Sequence, residues 1–231
     1  RGFYRHGREI LPAWQAGGEV WLDAIGVAGD SPVVTRAPLN EHPAQKRTVG
    51  GPAQWPEVIE TAITIGEEAP YAIDRIGLPT ENPWKAPLFC TGHGFDAEGT
   101  AYVVTAHGDV WRVEGLAWPS KTARWKRFAS GLNQTLGLWA GADGVFVLCR
   151  DQLTRLQDLN GDHEADFYEC YSQAFHVSGG GHDYNTGLER DAEGRFYFAS
   201  GADGLVRIEA DGKTASVVAS GFRNPDGLGI Y

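Results

Sequence analysis

A twelve-residue stretch carries oxygen-bearing side chains at the spacing that wraps a hard cation. Counted from residue 158, such side chains stand at loop positions 1, 3, 5, 7, 9 and 12, as Asp158, Asn160, Asp162, Glu164, Asp166 and Glu169. Alternate residues of a tight loop point inward and offer the oxygen ligands that Ca²⁺ prefers, with position 7 donating its backbone carbonyl. We therefore predict a structural calcium loop at residues 158–169, with a solvated acidic turn as the alternative.

This loop differs from an EF-hand. His163 occupies the sixth position, where an EF-hand has the glycine that allows its sharp turn. The flanking residues alternate as strands do and lack a helical period. The expected site is a calcium loop between strands, and whether Glu169 reaches the ion stays open.

A glycine-rich segment contains a candidate general base. Residues 178–187 read SGGGHDYNTG, which places His182 beside Asp183. Imidazole exchanges protons near neutral pH, and neighbouring glycines let a ligand approach the backbone. His182 is thus a candidate catalytic base, and an exposed histidine in a flexible connection is the alternative.

The segment GFRNPDG at 221–227 could hold an anionic ligand. Arg223 offers a planar fork of donors that suits carboxylates, and Asn224 precedes a proline, which favours extended backbone. The alternative is a turn in which Arg223 pairs with a neighbouring acid. His93 and His107, at similar positions in the repeats described below, are interpreted as ordinary turn residues.

Composition restricts the class of protein. The 231 residues include 31 Gly, 12 Pro and 26 aromatic side chains (8 Trp, 8 Tyr and 10 Phe), which predicts an all-β chain with many turns and a sizeable core. The net charge of −10 argues against nucleic acid as a partner, because duplex binding depends on Lys and Arg at phosphates. No apolar run approaches the roughly 18 residues of a transmembrane segment.

Internal repeats indicate the architecture. Residues 94–113, 137–156 and 187–208 share one pattern. A strand leads through an Asp/Glu-Gly turn into an aromatic strand, and a second turn leads into a third strand. The turn glycines Gly99, Gly144 and Gly194 lie 45 and 50 residues apart. A strand-and-turn repeat of this length is typical of β-propeller blades. A solenoid of two-stranded units is the competing architecture.

The repeats also suggest a domain organisation. Residues 1–55 are predicted to be an irregular N-terminal segment, with a short strand at 20–25, and residues 56–231 to be a partial β-propeller of about three to four blades. A hairpin over 58–76 would add to it, and 228–231 would begin a further blade. Six blades of about 45 residues need roughly 270, so we expect a fragment of a longer protein.

The cysteines leave two possibilities open. Cys90, Cys149 and Cys170 form neither C-x-x-C nor C-x-x-C-H, so no c-type haem is expected within this chain. One disulfide with a leftover thiol and three buried free thiols are both compatible with the sequence.

Several phrases together resemble a known family, the glucose/sorbosone dehydrogenase-like β-propellers. Within that family the chain is most similar to the haem-binding-domain-associated, membrane-bound dehydrogenase proteins of planctomycetes and verrucomicrobia. The resemblance covers about residues 50–231. The phrases that carry it are GPAQWP at 51–56, NPW at 82–84, RDQLTRLQDLNGD at 150–162, ADFYE at 165–169, GLERDAEGRFYF at 187–198 and ASGFRNPDGL at 219–228.

The resemblance implies a six-bladed propeller in a bacterial protein exported to the periplasm or beyond. It implies oxidation of a sugar or alcohol with pyrroloquinoline quinone, with His182 as the base and with Arg223 and Asn224 binding the quinone. A cytochrome c domain would follow downstream in the full protein. The alternative function is a non-catalytic, calcium-stabilised propeller that serves as a binding or assembly module.

Overall fold

Nearly all of the regular secondary structure in the described residues is antiparallel strand, which confirms the all-β prediction. The computed structural model describes residues 1–28 and 31–230, and Tyr231, assigned above to a further blade, lies outside them. The described residues include one 3₁₀ turn, at Gln45–Arg47. The strands are β1 (Gly2–His6), β2 (Glu9–Ala16), β3 (Glu19–Ala28), β4 (Ser31–Pro38), β5 (Val58–Thr64), β6 (Arg75–Ile76), β7 (Cys90–Phe95), β8 (Ala101–Thr105), β9 (Val110–Glu114), β10 (Thr122–Ala129), β11 (Gly137–Gly141), β12 (Gly144–Leu148), β13 (Leu153–Gln157), β14 (Phe167–Ser172), β15 (Asn185–Arg190), β16 (Phe196–Ser200), β17 (Gly204–Ile208) and β18 (Ala215–Ala219).

Three successive four-stranded meanders follow the sequence repeats. The first meander is β7–β10, the second is β11–β14 and the third is β15–β18, each paired in chain order. The first and third meanders share one turn: Asp96 accepts backbone hydrogen bonds from residues two and four positions later, at 3.1 and 2.8 Å, and Asp191 does the same at the same distances. The repeated phrases therefore encode one recurring supersecondary unit.

Strands from the N-terminal part extend two of these meanders. β1 pairs with β14 and continues into β2, β3 and β4, which gives an eight-stranded sheet. β5 pairs with β10 and with β6, which gives a six-stranded sheet, whereas the third meander stays four-stranded. The sheets are curled, and one forms a half-barrel.

The prediction of an irregular segment over residues 1–55 is wrong for the described ranges 2–28 and 31–38, which contain β1 to β4. The prolines within these strands are tolerated by their positions. Pro38 lies on β4, at the edge of the sheet, where a missing N–H disturbs no ladder on the outer side. Pro12 lies on β2 just before Ala13, where pairing with β3 begins.

The predicted hairpin over 58–76 forms, but its second strand is short. β5 turns Ile59 and Ile63 toward the core, and β6 contributes only two residues, with Ile76 opposite Ile63. The strand expected from residue 228 is not formed at 228–230. No neighbouring strand pairs with those residues in the described part of the chain, and an isolated strand has no ladder to stabilise it.

The first strands of the three meanders lie side by side, β7 against β11 and β11 against β15. Glycine permits this approach: a Cβ on Gly137 would lie 2.6 Å from the carbonyl oxygen of Gly187. Each of these strands ends its sheet, so one edge of its backbone is unpaired in the sheet. The three meanders therefore converge on their inner strands.

Apolar layers fill the spaces between the meanders. Buried side chains between the first and second meanders include Val104, Val110, Leu138, Val147 and Tyr168. Those between the second and third include Phe146, Leu148, Phe196, Phe198 and Ile208. No helix in the described residues has the length and apolar character that crossing a bilayer requires.

Candidate functional site

The first half of the acidic loop is folded around its own backbone. Asp158 accepts hydrogen bonds from the backbone N–H groups of residues 160, 161 and 163, at 2.7 to 3.2 Å. Asn160 and Asp162 each accept one from the residue two positions later, at 2.9 Å. The alternating spacing thus produces a tight turn, and His163 completes it with a left-handed φ of 66°.

Glu164 leaves the loop and enters the protein interior. Its carboxylate accepts a hydrogen bond from Arg5 at 2.8 Å and lies 3.7 Å from the Lys126 ammonium. The backbone N–H groups of Gln54 and Trp55 donate to it at 3.0 and 2.7 Å. Only 1% of this side chain is exposed, so two cations and two N–H donors replace its water shell.

The remaining two predicted ligands are also engaged elsewhere. Asp166 accepts hydrogen bonds from the backbone N–H groups of Gly51 and Leu159, at 3.0 and 2.9 Å. Burial raises the pKa of Asp166, an effect that those two hydrogen bonds oppose and nearby Asp162 reinforces. Glu169 lies on β14, where Arg155 and Gln157 contact it at 3.4 and 3.3 Å.

The structure therefore brings together only part of the predicted ligand set. Asp158, Asn160 and Asp162 share the turn, while the carboxylates of Glu164 and Glu169 point to other partners. No group of three or more His, Cys, Asp or Glu side chains in the described ranges is arranged to hold a metal ion. Calcium binding stays a prediction, restricted to the turn side chains and the carbonyl of residue 164.

Sequence reasoning missed the function that the loop performs in the fold. Asn160 donates to the carbonyl oxygen of Gly51 at 2.7 Å, and Glu164 and Asp166 bind the same N-terminal strap, residues 51–55. Arg5 also lies over the ring of Trp55, 4.7 Å from its centroid. The phrase GPAQWP at 51–56 marks this strap in the sequence. Nothing in the phrase indicates that the strap binds Glu164, about 110 residues later.

His182 lies in the connection between β14 and β15 and is exposed. Its neighbour Asp183 accepts a hydrogen bond from Ser178. Arg150 donates to the carbonyl oxygens of Ser178 and Gly180 and holds the connection. Among the described residues, no hydrogen bond joins His182 to Asp183 or to Arg223.

Arg223 and Asn224 follow β18 and are exposed as well. Asn224 has a φ of +45°, so the extended backbone expected before Pro225 is not adopted; asparagine tolerates this left-handed conformation. No ion pair of Arg223 occurs within the described chain. Thr186 donates to the carbonyl oxygen of Pro225 at 2.7 Å, which joins this segment to β15 just after the His182 connection.

A recess of about 430 Å³ opens where the inner strands converge. Backbone of β7, β11 and β15 lines it, together with the side chains or backbone of His93, Glu189, Asp226 and Leu228. His93 lies on β7, so its interpretation as a turn residue is wrong, whereas His107 lies in the turn between β8 and β9. His93 packs edge-to-face on Phe95, which is exposed at the same recess.

A larger recess of about 550 Å³ lies beside the acidic loop, and three of its carboxylates, those of Asp96, Asp143 and Asp158, already have partners. Asp158 and Asp96 accept backbone hydrogen bonds. Asp143 accepts two from Arg190, both at 2.9 Å. The recess at the inner strands differs in being lined by the outer edges of three sheets.

The three cysteines are free, so the disulfide is not formed, but the alternative of three buried thiols is also wrong. Cys149 is buried, Cys170 is half-buried and Cys90 is exposed, so only one of them is a core thiol. Burial raises the pKa of Cys149 to about 12.

Comparison with known proteins assigns no family. No protein-family model matches the chain, and no curated protein matches it. The resemblance to sugar dehydrogenase propellers rests on the sequence phrases alone and stays a prediction.

Proposed function

We propose that the chain is part of a β-propeller that binds a small hydroxylated ligand, a sugar or an alcohol, in the recess at its inner strands. Three consecutive four-stranded meanders support the propeller, because blades are antiparallel sheets of this size whose first strands meet around a central axis. The order β7, β11, β15 along the inner side is the order that successive blades would have.

The observation that carries the binding proposal is the convergence of three sheet edges on one recess. An edge strand has N–H and C=O groups without ladder partners, and hydroxyl groups can donate to and accept from both. Glu189 and Asp226 add acceptors for hydroxyl protons, and exposed Phe95 adds a flat apolar face. This combination suits a ligand with hydroxyls on its rim and C–H groups on its faces.

Titration calorimetry with glucose and with glycerol tests this proposal. Replacing Glu189 by Gln and Asp226 by Asn removes charged acceptors without changing size, so each should weaken binding by about tenfold, as expected for a hydrogen bond to a charged group. Glu41→Gln, on an exposed turn remote from the recess lining, is the matched control and should bind as the parent chain does. Absence of heat with every sugar and alcohol tried would contradict the proposal.

Oxidation of that ligand is a second candidate function, favoured by the hydrogen bond from Thr186 to Pro225. This bond holds the segment of Arg223 and Asn224 against the strand that follows the His182 connection. When bound, pyrroloquinoline quinone would supply a hydride acceptor for the carbinol carbon. His182 would take the hydroxyl proton, and Arg223 with Asn224 would bind the cofactor's carboxylates.

As the family resemblance implies, the oxidation would occur in the periplasm or outside the cell and deliver electrons to a downstream cytochrome c domain. Dye reduction by the chain with glucose, added quinone and Ca²⁺ tests this candidate. His182→Gln should abolish the activity and His107→Gln, an exposed turn histidine, should preserve it. Ligand binding without dye reduction would favour the non-catalytic binding or assembly module, with calcium as a structural ion.

A further inference from the structure

The third meander ends in a strand whose outer edge has no strand partner in the described part of the chain. β18 pairs only with β17. The equivalent last strands of the other meanders are both covered, β10 by β5 and β14 by β1. In this fold the last strand of a meander thus accepts an added antiparallel strand twice, and β18 is the position where the third would bind.

The covered strands show which residues accept the addition. Residues 122–126 of β10 pair with β5. They precede a shift in the register between β10 and β9, which lies between residues 127 and 129 of β10. Residues 167–169 of β14 pair with β1. They precede a shift in the register between β14 and β13, which lies between residues 170 and 172 of β14. The register between β18 and β17 shifts in the same way, between residues 217 and 219 of β18. The regular part that an added strand would meet is therefore 215–217.

β18 also lacks the features that protect exposed strand edges. Native edges are blocked by proline, by charge or by shortness. β4 contains prolines and Arg36, and β6 has only two residues, one of them Arg75. β18 reads ASVVA, with neither proline nor charge, and Val217 and Val218 are 53% and 42% exposed. This edge is therefore open to strand addition.

We propose that β18 pairs antiparallel with β18 of a second copy of the chain, across a two-fold axis at Ser216. In this register Ser216 faces its own symmetry mate, and Ala215 of each copy faces Val217 of the other. Opposite residues of an antiparallel pair share one face of the sheet. Each exposed Val217 would then pack on the partner's Ala215, beside a groove lined by Phe175 and Val206.

A second copy suits this edge because the sequence around Ser216 is complementary to itself. An isologous contact requires that each residue tolerate the position it meets on the partner. In the proposed pairing the Ser216 hydroxyls of the two copies are opposite each other, and the small Ala215 of each copy is opposite the larger Val217 of the other. No charge within β18 opposes the pairing of two identical strands.

Sedimentation of the 231-residue chain over the roughly micromolar to millimolar range tests the dimer. Because few residues pair, we expect a reversible, concentration-dependent monomer–dimer equilibrium. Ser216→Lys places two cations directly opposite each other and should weaken dimerisation by roughly tenfold or more. Ser220→Lys, also exposed but beyond the register shift, is the matched control and should dimerise as the parent chain does. Mixing Ser216→Lys with Ser216→Glu should restore a heterodimer.

Cross-linking checks the register independently of affinity. In a background with the exposed Cys90 replaced by Ser, Ser216→Cys should give a disulfide-linked dimer on mild oxidation, because opposite Cα atoms of an antiparallel pair lie within disulfide range. Ser220→Cys should form no disulfide-linked dimer. A chain that sediments as a monomer throughout, a dimer unaffected by Ser216→Lys, or equal cross-linking at both positions would overturn the proposal.

Discussion

Arg5 donates a hydrogen bond from Nη2 to Oε2 of Glu164 at 2.8 Å, and both side chains are buried. The two residues are 159 positions apart, so this ion pair joins β1 to the acidic loop. Lys126, on β10, brings a second cation to within 3.7 Å of the same carboxylate. Glu164 thus connects both extended sheets at one buried point. Through this contact the loop anchors the N-terminal strands with or without a bound ion.

Glu164→Ala is expected to destabilise the protein severely. Truncation leaves Arg5 and Lys126 buried without a counter-charge, a change that typically costs about 3–5 kcal/mol. Chemical denaturation of the parent chain and the variant measures the loss. Glu193→Ala is the control, because its ion pair with Arg195 is at the surface, where solvent screening leaves little contribution to stability. Equal stability of the two variants would show that the buried pair does not hold the fold together.

The three meanders could be predicted because their information is local. The turn of Asp96 and the turn of Asp191 each contain every donor and acceptor they need within five residues. β1 differs, because its partner β14 begins 161 residues after its own end. Strand pairing over that separation leaves no pattern in residues 1–6, so the sequence indicated only a broken, irregular segment.

The acidic loop shows the same division between local and distant information. Asp158, Asn160 and Asp162 form the turn that their spacing predicted, since their partners are backbone N–H groups inside the loop. Glu164 fits the spacing equally well, yet its carboxylate binds Arg5, a residue that no local pattern identifies. Spacing therefore predicts the shape of a loop better than it predicts where each carboxylate points.

Thiol labelling should distinguish the three cysteines. Burial raises the pKa of Cys149 to about 12, so at pH 8 only roughly one molecule in ten thousand carries its reactive thiolate. With an aromatic disulfide reagent we expect one fast-reacting thiol, Cys90, and a Cys149 that reacts only after unfolding. Cys90→Ser should remove the fast phase and leave the rest unchanged. A Cys149→Ser variant that loses one rapidly labelled thiol in the folded state would contradict the burial of Cys149.

The turn of Asp191 should contribute a pH-dependent part of the stability. Desolvation raises the pKa of Asp191, but hydrogen bonds from the Arg195 backbone and side chain and from Tyr197 outweigh it and lower the pKa to about 2. A carboxyl with a depressed folded pKa stabilises the fold above its unfolded pKa, near 3.8, and loses that contribution as the pH falls toward 2.

The stability difference between the parent chain and Asp191→Asn should therefore shrink from pH 4 to pH 2. Denaturant unfolding at successive pH values measures it. In an Arg195→Ala background, which keeps the backbone donor and loses the guanidinium, the folded pKa should lie closer to the unfolded one, so the shrinkage should be smaller and should end at higher pH. A difference that is constant across this range would mean that the Asp191 carboxylate is not selectively stabilised in the fold.

Calcium binding to the acidic turn is tested by its effect on thermal unfolding, and the choice of variant decides what the result means. Asp158 accepts three backbone hydrogen bonds, so its removal would lower the melting temperature with or without an ion. Asp162→Asn keeps the oxygen that binds the N–H of residue 164 and removes only the charge. It is therefore the variant that separates calcium binding from turn geometry.

If the turn binds Ca²⁺, saturation at 100 times the dissociation constant should stabilise the parent chain by about 2.7 kcal/mol, and EDTA should remove that gain. Asp162→Asn should melt near the parent's EDTA value in either solution. Identical melts of the parent chain in Ca²⁺ and in EDTA would contradict the calcium loop. The acidic stretch would then be a solvated turn whose stability comes from its backbone hydrogen bonds and from the anchor at Glu164.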